Sequence, residues 1–488
     1  MRSLHQIWSS RRVQTLSELR FSPIDHQNKT SRRYNSLQAH CLKEQQLTSV
    51  AILLQFFLIP VEAQGGKLMS KSKASWANAF QFAAAMWLLS RVVIAVAMVL
   101  IAPSLPVPPE GILPTVDWSL FSYSDSPRYE TIVTGGYEYE STIKEKYNIA
   151  FFPLFPLFTR GVMYLGLPFN VAGTLVNNLA FLAALVVLYR WVEERHGESV
   201  ARWATAIWAW CPLSLFGSVI YTEGLFMLFS TAALRAFDKQ QHAFAALWGA
   251  LATATRVTGV VLVPTFLIVA WKERRPISAY VAALLTAGGV VIFSLYCALN
   301  FGDPLAFVHA QKAWRDTTGL NWKDWRRELI TIAIGKTNLE QRAIVDPWHP
   351  FLFVLLLGSI YLLWHFRQKL GSVVVLCISF ALALASWRLG GESLIVVVMV
   401  FGGGYLLWRL RHQMRLIEVV YGFCALGLIM FSGSSASAQR YAYAIVSLAI
   451  ALSLVLDRYP RWAYATMVFF SIILVNFAIR FAQHLWVA

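Results

Sequence analysis

The chain predicts an all-α, polytopic integral membrane protein, and three observations carry that prediction. Of its 488 residues, 57% are hydrophobic and 14% charged, where soluble domains carry about 25% charged residues. The apolar residues gather in long runs separated by charged connectors. Lys and Arg concentrate in those connectors, as the positive-inside bias requires, and the 19 Trp and 18 Tyr suit interfacial belts. The net charge of +16 follows from the connectors, so no nucleic-acid partner is expected. The five cysteines, at 41, 211, 297, 377 and 424, show neither metal-ligand nor redox spacing. Four of them lie in apolar runs, where a thiol acts as a small hydrophobe.

Residues 1–68 are Arg-, Ser- and Gln-rich, and their one apolar run, SVAILLQFFLIP, is too short to span a bilayer. They are expected to be a disordered extension or an over-long start. Met69, followed by SKSKASWANAFQF, begins the membrane domain, 69–488. Apolar runs follow at 77–103, 170–189, 203–221, 223–237, 242–255, 256–271, 277–300, 350–366, 371–387, 393–408, 416–431, 441–456 and 462–482. About 11–13 transmembrane helices are expected from them.

Sidedness comes from the connectors. Placing SKSK, RWVEERHGESVAR, RAFDKQQ, KERR, RQK, RLRHQMR and DRYPR on the cytoplasmic side sends the first helix outward. Residues 104–168 then form a first outer loop and 301–349 a second, and the C-terminus lies outside. Within the first loop, 149–168 carries Pro153 and Pro156 and must stay on the outer side or re-enter.

Two tight hairpin tips, YTEG (221–224) and TRVTG (255–259), fall on the same side. Their flanking runs are only 14–19 residues long, so the tips sit recessed. Glu223 and Arg256 must then face a protein-lined or wet cavity, because a charge facing lipid is costly. Arg440, after SGSSASAQ, lands at the outer end of its helix, and Asp125 lies in the first outer loop within YSDSPRYETIVTGGY.

That set suits group transfer from a lipid phosphate. A sugar hydroxyl is a poor nucleophile until a base such as Asp takes its proton. A departing phosphate needs positive charge where its negative charge develops, and the Arg fork matches phosphate geometry. The plainer alternatives are a turn residue for Asp125, a helix-terminal acid for Glu223 and headgroup snorkelling for Arg256.

The same residues carry a resemblance. SDSPRYETIVTGGYEYE followed by AFFPLFP resembles the first outer loop of the GT-C membrane mannosyltransferases. The nearest branch adds the second mannose in glycosylphosphatidylinositol assembly, and it has bacterial relatives. Asp125, Tyr129, Ile132, Gly136, Tyr137 and Glu140 keep the spacing of that loop. CPLSLFGSVIYTEGLF (211–226), TRVTGVVL (255–262), DPLAFVHAQKAW (303–314) and QRYAY (439–443) resemble its later blocks in order. Three positions depart from the pattern: Ser124 stands where the family carries Trp, Phe155 where it carries Tyr, and Val133 where it carries Ala.

The resemblance implies an inverting transferase with Asp125 as base and Arg256 and Arg440 on the donor phosphate. Tyr129, Glu140, Tyr221, Glu223, His309, Gln311 and Trp314 would bind substrate. No metal or cofactor is expected; the donor is a polyprenyl- or dolichyl-phosphate sugar, with mannose the expected sugar. Expected partners are membrane lipids, the donor, an unidentified acceptor and an accessory membrane subunit. The expected location is the plasma membrane if the source is bacterial, with the endoplasmic reticulum membrane as the alternative. A transporter or flippase for isoprenoid-linked sugars is the rival class; it would place polar groups near the midplane in both halves rather than at one face.

Overall fold

The computed structural model describes residues 68–140, 146–313 and 319–487, so the expectations for 1–67 and for Trp314 fall outside the described residues. The chain divides into two units at Ser70/Lys71; the second is described here. Among the described residues it is all-helical, with one isolated β-bridge between Gly319 and Ser432.

The helices follow the apolar runs. α1 is Leu68–Val96, extended by a π-turn to Ile101. In the first outer loop α2 is Ser126–Gly135 and α3 Leu154–Met163. A packed group follows: α4 Phe169–His196, α5 Glu198–Trp210, α6 Glu223–Asp238, α7 His242–Thr255, α8 Leu262–Lys272, α9 Ile277–Leu285 and α10 Gly288–Phe301. The second outer loop holds α11 Ala306–Gln311, α12 Trp322–Ile334 and α13 Lys336–Gln341. The last group is α14 Trp348–Phe366, α15 Ser372–Val397, α16 Gly403–Leu410, α17 Leu416–Met430, α18 Ala438–Tyr443, α19 Val446–Arg458 and α20 Pro460–Ala482.

Five stretches are long and apolar enough to cross a membrane by length and composition: Ser75–Ser104, Phe169–His196, Trp348–Phe366, Ser372–Leu410 and Pro460–Ala482. A sixth appears if Ile277–Leu285 and Gly288–Phe301, bent by 41°, count as one span. This is fewer than the 11–13 expected. The difference lies in α5, α6, α7, α8, α17 and α19, which have 11–16 residues each. At 1.5 Å per residue they cover roughly 16–24 Å, short of a hydrocarbon core of about 30 Å. α3 has 10 residues and cannot cross, as its prolines foretold.

The stretch Ser372–Leu410 is two limbs of a hairpin, not one rod. Arg461 donates to Ser372 Oγ at 3.0 Å and Arg480 to Glu392 Oε1 at 3.0 Å, while Arg458 donates to Gln413 Oε1 at 2.5 Å. Arg458 and Arg461 flank the start of α20, and Arg480 lies about 28 Å further along it. Ser372 and Gln413 are therefore at one end and Glu392 at the other. The reversal falls at Gly391, whose φ 55° and ψ −138° are those of the first central residue of a type II′ turn, where glycine is favoured. The separate runs 371–387 and 393–408 survive as those two limbs.

The charged connectors meet at one end of the bundle. Ser75 donates to Glu193 at 2.8 Å, Arg235 to Glu194 at 2.8 Å, and Arg195 to Asp238 at 2.6 Å. His196 pairs with the buried Glu418 at 3.0 Å, and Ser199 hydrogen-bonds Asp457. The two loops read as outer gather at the opposite end with the hairpin tips.

Candidate active site

The YTEG tip is fixed by buried polar side chains. Asn177, fully buried in α4, donates to the carbonyls of Phe216 (2.7 Å) and Val219 (2.6 Å) and accepts from Gly224 N–H (2.8 Å). A Cβ at Gly224 would come within 2.3 Å of the Asn177 carbonyl oxygen, so glycine is required where α6 starts. Ser126 Oγ bonds both Tyr123 O (3.1 Å) and Ile220 O (3.0 Å), tying the first outer loop to the YTEG tip. Between them Ser124 takes a left-handed φ of 63°, a region rare for bulky residues. Asp125 then precedes α2 with its N–H donating to Tyr221 Oη at 3.3 Å.

The Asp125 side chain makes no capping bond to its helix. It accepts instead from Arg440 Nη1 at 3.0 Å. Arg440 Nε lies 3.4 Å from Glu223 Oε1, and Arg256 Nη1 donates to that same oxygen at 2.5 Å. The charges therefore alternate: Asp125, Arg440, Glu223, Arg256. Glu223 is 0% exposed and Arg440 7%. Two atoms in this chain, Glu223 Oε2 and Arg440 Nε, have no hydrogen-bond partner in the protein. Aromatic faces close the walls: Tyr441 lies 4.9 Å from the Arg256 guanidinium and 5.5 Å from that of Arg440. Tyr221 lies 5.1 Å from the latter. Such contacts stabilise a cation out of water.

The structure thus brings together Asp125, Tyr221, Glu223, Arg256 and Arg440. Tyr129 is buried beside them, packed edge-on to Phe151 (5.2 Å) and Phe155 (5.0 Å). Glu140 is exposed within the first outer loop. His309 and Gln311 join a second set of contacts between the two outer loops. Asp303 Oδ2 accepts from Tyr139 Oη (2.8 Å) and faces His309 Nδ1 at 2.7 Å, while Gln311 donates to Ala150 O at 3.3 Å. Burial acts to raise the Asp303 carboxyl, but the hydrogen bonds from His309, Tyr139 and Leu305 N–H outweigh it and hold it below the usual carboxylate range. Burial, with the bond to Asp303, pushes the Tyr139 phenol up to about 12.

Sequence reading missed Asn177, Tyr441 and Asp303. The first had a signal, since Asn177-Asn178 interrupts an apolar run and polar groups inside spans are rarely idle. Among the described residues no group of three or more His, Cys, Asp and Glu is placed to hold a metal ion.

Fold and site together define a polytopic helical membrane protein with a buried acid–arginine cluster at one end. Residues 110–282, which include most of the first outer loop and both hairpin tips, match the family model described as Mannosyltransferase (PIG-V). No curated protein matches the chain. Among solved structures, it is similar to the oligosaccharyltransferase AglB from Archaeoglobus fulgidus in complex with an inhibitory peptide and a dolichol-phosphate. That likeness has 14% identity and a TM-score of 0.43, covering 83% of this chain and 56% of the other. ArnT from Cupriavidus metallidurans bound to undecaprenyl phosphate gives 12% identity and a TM-score of 0.36, covering 81% and 77%. The chain spans about half the length of the oligosaccharyltransferase structures it matches.

Proposed function

We propose that the protein is a membrane glycosyltransferase of GT-C type. It moves a sugar, mannose in this reading, from a polyprenyl- or dolichyl-phosphate donor to an acceptor hydroxyl at the outer or lumenal face. The observation that carries the reading is the Asp125–Arg440 pair inside the four-charge chain at the end opposite the basic connectors. An acid paired with one arginine and close to a second at a membrane face serves both halves of the transfer. Asp125 takes the acceptor O–H proton as that oxygen attacks the anomeric carbon from the side opposite the phosphate. The bond from that carbon to the phosphate oxygen breaks, and the lipid phosphate leaves with inversion. Arg256 and Arg440 meet its growing negative charge.

The ion pairing adds a control on this chemistry. Arg440 donates to Asp125 and lies beside Glu223, so the Asp125 carboxylate is engaged with a guanidinium. An incoming phosphate competes for the guanidinium fork and releases the carboxylate when a donor is present to use it. An apolar groove lined by Val260, Val261, Pro264, Cys424, Gly427 and Phe431 starts four residues beyond Arg256, and it suits an isoprenoid chain attached to that phosphate. The bound lipid is the sugar donor itself, and the reading invokes no separate cofactor. The membrane is the plasma membrane in a bacterial source.

Purified protein incubated with radiolabelled polyprenyl-phosphate mannose and membrane lipid acceptors tests the reading. A new labelled lipid should form. Asp125→Asn should lower its formation by about 10²–10⁴-fold, the range for loss of a general base, while the donor still binds. Near-normal turnover by that variant would refute the assignment of Asp125. Movement of the labelled lipid across the bilayer with no new product would support the transporter reading instead.

A further inference from the structure

We propose that Phe481–His484, the end of α20 and the turn after it, is a positioning element that clamps Tyr123 and thereby sets the orientation of Asp125. The proposal rests on Asp125 being the base.

Three contacts carry it. The His484 ring stacks on Tyr123 with centroids 4.4 Å apart and planes 15° apart. The Phe481 ring meets Tyr123 edge-on at 5.6 Å and Tyr221 at 6.4 Å. These two tyrosines bracket Asp125, one two residues before it and the other accepting its N–H. One backbone and one side-chain hydrogen bond seat the same turn against the first loop: Ile112 N–H donates to Gln483 O at 3.0 Å, and Gln483 Nε2 donates to Pro106 O at 3.4 Å. A Cβ at Gly111 would lie 3.0 Å from that Gln483 oxygen, so the approach is close. Phe481 and Gln483 are buried. Burial holds the His484 imidazole below its usual value, so a neutral ring faces Tyr123.

The loop needs such a clamp. Ser124 stands at φ 63°, and a non-glycine residue in that region persists only where its surroundings over-determine it. Ser126 Oγ fixes the far side of the turn through Tyr123 O and Ile220 O. The near side has the Tyr123 ring as its handle, held on its face by His484 and at an edge by Phe481. Loss of the stack frees that ring and lets the Asp125 carboxylate wander from Arg440 without removing any charge of the cluster.

The test compares His484→Ala and His484→Phe in the full chain, with transfer kinetics and amide hydrogen exchange of the segment 110–126. His484→Ala should lower kcat by about 10–100-fold, the scale of a misplaced catalytic group, and leave the donor KM unchanged. It should also speed exchange in 110–126 while the charged connectors at the other end stay protected. His484→Phe restores the stacking face and should recover both. Wild-type kcat and exchange in His484→Ala overturn the proposal. So does equal loss in Ala and Phe variants, which would assign a chemical role to the imidazole. Tyr123→Leu removes the same stack from the other side and replaces His484→Ala if that variant does not fold. If the wild type transfers no sugar, the proposed function fails, and the exchange measurement still decides the clamp.

Discussion

Glu223 and Asp125 are both acids at helix starts, yet their environments set them apart. Glu223 is 0% exposed and touches two arginines through one oxygen. The Asp125 side chain is 19% exposed and touches one. Neutralising Glu223 removes the carboxylate that Arg256 pairs with and leaves Arg440 with Asp125 alone, and breaking a buried pair this way costs about 3–5 kcal/mol. Neutralising Asp125 leaves Arg440 beside Glu223, and the cost should be nearer the loss of one charged hydrogen bond, about 1.5–3 kcal/mol. Thermal unfolding in detergent should therefore rank wild type above Asp125→Asn above Glu223→Gln. An Asp125→Asn midpoint at or below that of Glu223→Gln would mean that Asp125 is a structural acid first. The residue types of this site were legible in the sequence because charges in an apolar chain are few and each needs a reason. Their pairing was not, because Asp125 and Arg440 meet across 315 positions. Ser124, the departure from the family pattern, has a local reason here: its φ of 63° suits a small residue better than an indole.

The outer loops are joined through side chains of one short element, and their stability should follow its titration. Asp303 starts the turn before α11, accepts from Leu305 N–H at 2.9 Å, and receives Tyr139 from the first loop and His309 from α11 itself. Its carboxyl is held low because those bonds outweigh burial. The sign follows: a depressed folded value stabilises above the unfolded value of about 3.9 and loses that stabilisation as pH falls through the depressed value. Below about pH 4 the link between residues 139 and 303 should weaken, with faster hydrogen exchange in 136–140 and 302–311. Asp303→Asn should exchange fast already at pH 7, with no further acid step. A wild-type segment equally protected at pH 3 and pH 7 would show that the link does not depend on the carboxylate. At this scale the sequence was informative about breaks and poor about lengths. Pro153 and Pro156 marked a segment that cannot cross. The short helices α5 to α8 count among the 11–13 expected spans because hydropathy reports apolar character, although runs of 14–19 residues are marginal for a bilayer; α5 is misjudged most, since it stops at Trp210, just before Pro212, where the apolar run continues to 221.

Across the whole molecule the charge count did its work through solvation: lysines and arginines cannot rest in hydrocarbon, so they gather where water is. The two ends it separated are each tied together by contacts absent from any local pattern. Arg235–Glu194, His196–Glu418 and Arg458–Gln413 join one end; Asp125–Arg440, Tyr139–Asp303 and Arg480–Glu392 join the other. The hairpin at Gly391 is the part of this layout with most at stake, since a straight Ser372–Leu410 rod would be about 58 Å long and would put its two ends on opposite sides. Single cysteines in a background without reactive thiols decide between the two. Lys369, Arg388, His309 and Gln413 are all exposed. With the hairpin, Lys369→Cys and Gln413→Cys should react with a membrane-impermeant maleimide from the same side. Arg388→Cys and His309→Cys should react from the other. Labelling of Lys369→Cys and Gln413→Cys from opposite sides would remove the hairpin. It would also reverse the sidedness of either Ser372 or α17, and with it the argument that Arg440 and Asp125 share a face.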